Sequence, residues 1–177
     1  RRGWLKPFAG QMTSPRMARR HREITGAVHE HGGKIALQVL HAGRYSYHPF
    51  SLSASTSKSP ITPFKAKAMR ARTVERTIDA FARSAVLARE AGYDGVEIMG
   101  SEGYLINQFL APRVNRRTDE WGGSAANRRR FATEIVRRTR AAVGDDFIVI
   151  YRISALDLVE DGQTFEEIAA LAQEVEA

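Results

Sequence analysis

The chain has 177 residues, of which 43% are hydrophobic and 27% are charged, a composition typical of a globular protein with a sizeable core. It contains no cysteine, which excludes disulfides, cysteine nucleophiles and cysteine metal ligands within it and predicts a reducing, cytoplasmic location. No apolar run approaches the roughly 18 residues that a membrane span needs, so a membrane is not an expected partner.

The formal charge of the chain is +7, and many of its arginines fall within two predicted helices. Nucleic-acid binding would require these arginines on one face with aromatic residues between them, and the sequence shows neither feature. They are instead expected on solvent-exposed helix surfaces, with attraction to an anionic small ligand as the alternative. The arginines concerned are Arg16, Arg19, Arg20, Arg22, Arg128, Arg129, Arg130, Arg137, Arg138 and Arg140.

The first half of the chain contains a predicted helix, a strand and a long loop. Ser14, followed by a proline, predicts the start of a helix that runs to about His31. Residues 35–40 form a short apolar run, as expected for a strand that is covered on both faces. Residues 45–72 are rich in Ser, Pro and Lys, which predicts a long structureless loop that is functional or mobile.

The second half repeats the alternation of helix and strand. Thr73 is predicted to cap the next helix, and residues 95–98 form the following strand, which leads into a loop that carries a tyrosine. Ser124 is predicted to cap another helix, and residues 147–151 form a third strand. Thr164 then opens a capping box for the last helix.

This order of elements predicts an α/β fold with a parallel sheet and right-handed crossovers. No Gly-x-Gly-x-x-Gly motif follows a strand, which disfavours a doubly wound dinucleotide-binding fold. A complete (β/α)8 barrel needs at least roughly 200 residues. The chain is therefore interpreted as a partial (β/α)8 TIM barrel, with residues 1–177 forming a single segment of one barrel domain that is truncated at both ends.

Three polar side chains stand at the ends of the predicted strands, where barrel enzymes carry their chemistry. The amide of Gln38 suits the edge of a heterocycle such as a flavin, and Arg152 could hold negative charge near N1 of a reduced flavin. The phenol of Tyr104 keeps its proton at neutral pH and could donate it to a carbanion formed by hydride addition to a conjugated double bond. Each has an alternative role: a glutamine bonded to backbone, an arginine paired with Asp157 or Glu160, and a tyrosine packed under its own loop.

Other charged residues leave more alternatives open. His41 is either an active-site base or polar group, or a residue that caps or packs. Arg113 and residues 116–117 are cations that could meet a phosphorylated or carboxylated ligand. Glu97 lies within a strand and is expected to pair, with Arg152 across the barrel as the candidate. The histidines and carboxylates show no metal-ligand spacing, and no serine-hydrolase elbow is present, so neither a metal site nor a serine hydrolase is expected.

Three linked blocks of sequence, residues 103–110, 115–124 and 127–131, resemble the old yellow enzyme family of flavin-dependent reductases. Residues 37–44 are similar to the third-strand motif of the same family. Within that family, residues 97–104 and 151–162 are most similar to bacterial 2,4-dienoyl-CoA reductases. The resemblance extends over essentially the whole chain.

This resemblance implies an FMN-binding barrel, of which the chain covers roughly the third to fifth βα units. It implies an enzyme of fatty acid metabolism that passes hydride from NAD(P)H through the flavin to an activated C=C bond. Tyr104 matches the family's proton donor, and Gln38 and Arg152 match its flavin contacts. Arg113 aligns with a substrate-contacting arginine, and His41 is a further candidate for substrate binding.

The sequence departs from the family pattern at two positions. Met99 and Glu102 occupy the places of the residues that bind the substrate carbonyl in old yellow enzymes proper. This favours an acyl-CoA substrate over a simple enone, and a reductase of the dienoyl-CoA type or of a related acyl-CoA or aromatic-ring type. An iron–sulfur cluster and FAD would belong to parts of a full-length parent outside residues 1–177.

The strands that complete the family's FMN phosphate site would also lie outside residues 1–177, so these residues alone are expected to bind FMN weakly or not at all. A different interpretation is a flavin-free half-barrel that serves only as an interaction piece and forms oligomers through open sheet edges. A third is another barrel enzyme, such as an aldolase or isomerase. That interpretation needs a strand-end lysine or a carboxylate pair, and neither is well placed.

Overall fold

The structure is a computed structural model that describes residues 2–176. Within these residues five α-helices and six strands follow one another, with a short 3-10 helix at Gly43–Tyr45. In chain order they are α1 (Pro15–Glu30), β1 (Ala36–Val39), β2 (Leu52–Ser53), β3 (Ser57–Lys58), β4 (Lys65–Ala68), α2 (Ala71–Glu90), β5 (Gly95–Met99), α3 (Leu105–Leu110), α4 (Ala125–Val143), β6 (Ile148–Arg152) and α5 (Phe165–Glu176).

The main sheet has the order β1-β5-β6, and both of its pairings are parallel. Helix α2 crosses from β1 to β5, and helix α4 crosses from β5 to β6, so each pair of strands forms a βαβ unit. The register sets Gln38 beside Glu97, and Glu97 beside Ile150. The predicted alternation of helices with parallel strands is confirmed.

The core lies between the outer face of this sheet and the crossover helices. Ile98 on β5 is 1% exposed and belongs to a cluster that includes Ile78 on α2 and Ile135 on α4. Phe109 and Phe131 stack in the same cluster, with ring centroids 4.2 Å apart. Burial of each such side chain stabilises the fold by roughly 1.5–3 kcal/mol, which fixes α2 and α4 to one side of the strands.

The inner face of the sheet is open. Ile148 and Ile150 on β6 are 53% and 42% exposed, and Gln38 on β1 is exposed as well. Helices α2 and α4 contact the sheet from the other face, and within residues 2–176 these three side chains remain exposed. The prediction that residues 35–40 are covered on both faces is therefore wrong for this chain, in which the strand alternates between a half-buried and an exposed side.

The segment between β1 and α2 contains regular structure that was not predicted. Strand β4 lies between β2 and β3, parallel to the first and antiparallel to the second. The expectation of a structureless loop over residues 45–72 is therefore wrong. Thr73 does not cap α2, because the helix begins at Ala71 with Arg70 in the N-cap position and Thr73 within its first turn.

The loop predicted to carry Tyr104 is wrong in its second half, where residues 105–110 form α3, but α4 and α5 follow their predicted signals. The hydroxyl of Ser124 accepts a hydrogen bond from the backbone N–H of Asn127, and that of Thr164 accepts one from Glu167. Gly144 ends α4 in a conformation with φ of 72°, which glycine adopts at little cost. Of the helices in residues 2–176, none is long and apolar enough to cross a membrane.

Several of the helix arginines connect elements rather than facing solvent alone, among them Arg128 and Arg138. Arg128 is 8% exposed, donates from Nε to the carbonyl of Leu110, and forms an ion pair with Glu167 of α5. Arg138 on α4 reaches α2, where its Nη2 lies 2.7 Å from a carboxylate oxygen of Glu75. The prediction of solvated helix surfaces is therefore wrong for these two residues, whose partners lie on sequence-distant elements.

Candidate active site at the carboxyl ends of the strands

The carboxyl ends of the strands bring Gln38 and Arg152 onto the same inner face of the sheet, although they lie on its two edge strands. Glu97 on the central strand lies between them. Gln38 Nε2 donates to Glu97 Oε1 over 2.7 Å, and Arg152 Nη1 lies 3.9 Å from the same oxygen. The predicted pairing of Glu97 with Arg152 is confirmed, but it joins neighbouring strands and does not cross the barrel.

Arg152 is held loosely at this edge. Its Nε donates to Glu102 Oε1 over 3.3 Å, and its side chain is 50% exposed. The carboxylate partners of Arg152 are thus Glu97 and Glu102, and not Asp157 or Glu160. Exposed ion pairs of this kind contribute about 0–1 kcal/mol, so an anionic ligand could replace Glu102 at small cost.

Tyr104 lies in the connection between β5, which ends at Met99, and α3, which begins at Leu105. The preceding Gly103 has φ of 73°, a value that favours glycine, and Tyr104 is in the N-cap position of α3. Its half-buried ring meets Tyr45 edge to face, with centroids 5.9 Å apart, so the ring is partly packed. Within residues 2–176 its hydroxyl makes no hydrogen bond, which leaves the O–H group available for a ligand.

His41 lies just beyond the carboxyl end of β1 and is neutral. Its Nδ1 accepts a hydrogen bond from the N–H of Gly43, and its backbone carbonyl accepts one from Leu105 at the start of α3. Burial lowers the pKa of His41 to about 4, so the ring carries no charge at neutral pH. A Cβ atom on Gly3 would lie 2.4 Å from the ring, so this glycine lets residues 2–4 cover the imidazole.

His41 and Gln38 line an open cavity of about 660 Å³ that is bordered by α1, α2, β1 and the segment before α1. A volume of this size is typical of small-molecule sites. The cavity has apolar walls, among them Leu37, Val39 and Phe81. The two candidate residues at the end of β1 therefore share one concave surface.

Arg113 is separate from these residues. It is exposed, its backbone N–H bonds to the carbonyl of Asp161, and its Nη1 donates to the carbonyl of Glu160. It lines a second cavity of about 300 Å³, together with Arg44. In the described part of the chain it makes no hydrogen bond or ion pair with Tyr104.

The hypothesis that Arg117 is a ligand-binding cation is wrong. Its Nη1 donates to the backbone carbonyls of Ala54 and Met69, and its Nε donates to Asp119 over 2.8 Å. The guanidinium therefore ties the loop after α3 to the small sheet. Arg116, by contrast, is exposed.

Sequence reasoning missed two further polar residues. Asn107 and Gln108 lie within α3 and are 6% and 1% exposed, and both hydrogen-bond to the backbone of Gly103, next to Tyr104. The available signal was a pair of adjacent amides inside the otherwise apolar run of residues 105–110. Buried polar groups need hydrogen-bond partners, so such a pair predicts a local network. No group of three or more His, Asp or Glu residues in the described chain could hold a metal ion.

A partial parallel barrel with polar residues gathered at the carboxyl edge is typical of α/β barrel proteins, which carry their sites at that edge. Residues 11–177 match the sequence profile of the NADH:flavin oxidoreductase / NADH oxidase family, and the chain belongs to that family. It is 42% identical over 156 residues to an NADPH dehydrogenase of Geobacillus sp., covering 86% of this chain and 44% of that one.

Two solved structures of the same fold are also similar. One is a 2-naphthoyl-CoA reductase in complex with 2-naphthoyl-CoA, with a TM-score of 0.88 and 30% identity, covering 93% of this chain and 28% of that one. The other is the old yellow enzyme homologue of Zymomonas mobilis, with a TM-score of 0.89 and 28% identity, covering 99% and 54%. The predictions of a partial barrel and of the family are confirmed. The chain spans less than half the length of the curated relatives that it matches.

The residues on the inner face fit the flavin that this family implies. Gln38 uses its N–H group on Glu97 and leaves its carbonyl oxygen without a partner in residues 2–176, which suits an N–H of a flavin ring. Within residues 2–176 the guanidinium of Arg152 makes one hydrogen bond, through Nε, so both of its terminal NH₂ groups can still donate. The open face beside them carries Ile150, an apolar surface for a flat ring.

Proposed function

We propose that this chain carries part of the active site of an FMN-dependent oxidoreductase that passes hydride from NAD(P)H to an activated C=C bond. The observation that carries the proposal is the row formed by Gln38, Glu97 and Arg152. This row presents one amide and one cation on the open inner face at the carboxyl edge of the sheet. Bound FMN would supply the hydride-transfer chemistry.

The residues of the chain have distinct roles in this proposal. Gln38 would bind the polar edge of the flavin ring, and Arg152 would stabilise negative charge on it. Tyr104 would hold a proton on its hydroxyl and donate it to the substrate carbon next to the one that receives hydride, after which water would restore the phenol. His41 is neutral and its Nδ1 accepts the N–H of Gly43, so its Nε2–H would donate a hydrogen bond to the substrate.

The proposed substrate class is an α,β-unsaturated acyl-CoA, as in reductases of the 2,4-dienoyl-CoA type. Met99 and Glu102 stand where enone-reducing relatives are expected to bind a carbonyl, which weakens the case for simple enones. A solved structure with the same fold is a complex with an acyl-CoA, 2-naphthoyl-CoA. Arg113 is exposed near the carboxyl edge, where it would contact the charged part of such a substrate.

The test is the Tyr104→Phe substitution in the FMN-loaded enzyme that contains this chain. Stopped-flow absorbance would separate the reduction of flavin by NADPH from its reoxidation by an enoyl- or dienoyl-CoA. We expect flavin reduction to be unchanged, because no proton from Tyr104 is needed there. Reoxidation by the alkene is expected to slow by on the order of 100-fold, the usual contribution of a general acid.

A matched control is Tyr93→Phe, which removes a phenol hydroxyl that bonds His21 on α1, away from the carboxyl edge. This variant should leave both half-reactions as they are in the unsubstituted enzyme. Unchanged reoxidation in Tyr104→Phe would exclude the proton-donor role. Failure of the unsubstituted enzyme to bind FMN would exclude the proposed function as a whole.

A further inference from the structure

Gly103, the residue before Tyr104, is held at its N–H and at its carbonyl by two neighbouring side chains of α3. Asn107 Oδ1 accepts the N–H of Gly103 over 2.8 Å, and Gln108 Nε2 donates to the carbonyl of Gly103 over 2.6 Å. Both amides are nearly fully buried. Gly103 has φ of 73° and no side chain to restrict it, so these two bonds fix its backbone, together with the bond from the N–H of Tyr104 to the carbonyl of Ser101.

Gln108 is itself fixed by bonds to two other segments. Its Oε1 accepts the N–H of Arg44 and the hydroxyl of Ser53, each over 3.0 Å. A Cβ atom on Gly43 would lie 2.2 Å from that oxygen, so the turn after β1 packs directly on the amide. The amide therefore has one orientation, with its NH₂ group towards Gly103.

Asn107 is fixed from the opposite side. Its Nδ2 donates to Asp157 Oδ1 over 2.9 Å, and Asp157 Oδ2 accepts the backbone N–H of Gln163 over 2.9 Å. Asp157 lies in the segment that follows Arg152 at the end of β6. The Asn107–Asp157 bond thus connects the loop that carries the proposed proton donor to the strand end that carries the proposed flavin contact.

We propose that Asn107 and Gln108 are positioning residues for Tyr104, an inference that rests on the proposed function. They act through the Gly103 peptide, which sets the direction in which the tyrosine side chain leaves the backbone. Misplacement of a reacting group by about 1 Å can cost on the order of 100-fold in rate. Neither residue needs to touch the substrate for this effect.

The Asn107→Asp substitution tests the proposal with almost no change in shape. The aspartate can still accept the N–H of Gly103, but it cannot donate to Asp157 and sets one carboxylate against another. We expect reoxidation of the reduced flavin by an enoyl-CoA to slow by about 10-fold or more, with flavin reduction by NADPH within about twofold of the unsubstituted rate.

A second substitution should restore the rate. With Asp157→Asn added, the new asparagine can donate to the aspartate at position 107 while its oxygen still accepts the N–H of Gln163. We expect the double variant to recover most of the lost reoxidation rate. The matched control is Asn127→Asp on α4, the same chemical change at a site where the side-chain oxygen accepts from Arg130, and it should leave both half-reactions unchanged.

The effect must also depend on the tyrosine. In enzyme that already carries Tyr104→Phe, Asn107→Asp should slow reoxidation no further, because the group that it positions is gone. Gln108→Glu removes the donor to Gly103 and should likewise slow reoxidation only when Tyr104 is present. This variant replaces Asn107→Asp in the test if Asn107→Asp does not fold. An equal slowing in both backgrounds, or no slowing while Tyr104→Phe alone is slow, would overturn the positioning role. A Tyr104→Phe enzyme with normal reoxidation would instead overturn the proposed function.

Discussion

The two faces of the three-stranded sheet differ sharply, although the same strands form both. On the outer face Val96 and Ile98 are 0% and 1% exposed and pack against the crossover helices. On the inner face Gln38, Glu97 and Ile150 alternate with them and remain open or half-buried. Successive residues of a strand point to opposite faces, so a one-residue step separates the core from the proposed flavin surface.

Within a single strand, the residues that stabilise the fold therefore differ from those that can contact a ligand. A side chain on the outer face contributes by filling space between the sheet and α2 or α4. A side chain on the inner face contributes little to that packing and is available to a ligand. Substitutions on the two faces should therefore change different measurements.

The largest expected effect is on the free energy of unfolding, when one isoleucine on each face is replaced by alanine. Ile98→Ala should lower the free energy of unfolding by about 2–5 kcal/mol, because it leaves a cavity in the core. Ile150→Ala, on the neighbouring strand but 42% exposed, should lower it by less than about 1 kcal/mol. Urea denaturation of the two variants measures both values, and equal losses would show that the faces do not differ in this way.

The next prediction concerns the pH dependence of the free energy of unfolding, and it tests the burial of His41 at the carboxyl edge of the sheet. The pKa of His41 is about 4 in the fold against 6.5 ordinarily, so the unfolded chain takes up this proton first as pH falls. The stability that neutral His41 contributes is therefore complete above pH 6.5 and is lost as pH falls towards 4. The loss is at most about 3 kcal/mol.

His41→Gln isolates this contribution, because glutamine stays neutral and can still accept the N–H of Gly43. Unfolding free energies at pH 7 and pH 4.5 should differ less in this variant than in the unsubstituted protein. Carboxylates titrate in both proteins and cancel in the comparison. The same pH dependence in both would mean that His41 is not held neutral by burial.

The main sheet and its helices were predictable because their signals are local. Ser124 and Gly144 mark the two ends of α4, and the apolar runs mark the strands. The small sheet was not predictable, because β2 and β3 have two residues each and exist only through their pairing with β4. Its stability depends on remote contacts, such as that of Arg117 with the carbonyl of Met69.

The candidate site was predictable to a similar extent. Gln38 and Arg152 could be placed on one edge because parallel strands end together, and the contact of Arg152 with Glu97 follows from neighbouring strands. The network around Gly103 could not be found in this way. It joins α3 to segments about 50 to 65 residues away in sequence.

The most direct test of the inner face as the flavin surface is to measure the dissociation constant for FMN in Arg152→Met. The expected change in binding free energy is the smallest of these effects. The control is Arg137→Met on α4, whose side chain is 65% exposed and pairs with Glu134 of the same helix. Titration of the apoenzyme followed by flavin fluorescence should give binding about tenfold weaker for Arg152→Met, equivalent to ~1.4 kcal/mol, and unchanged for the control. Equal FMN affinity in both variants would contradict the assignment of the inner face to the flavin.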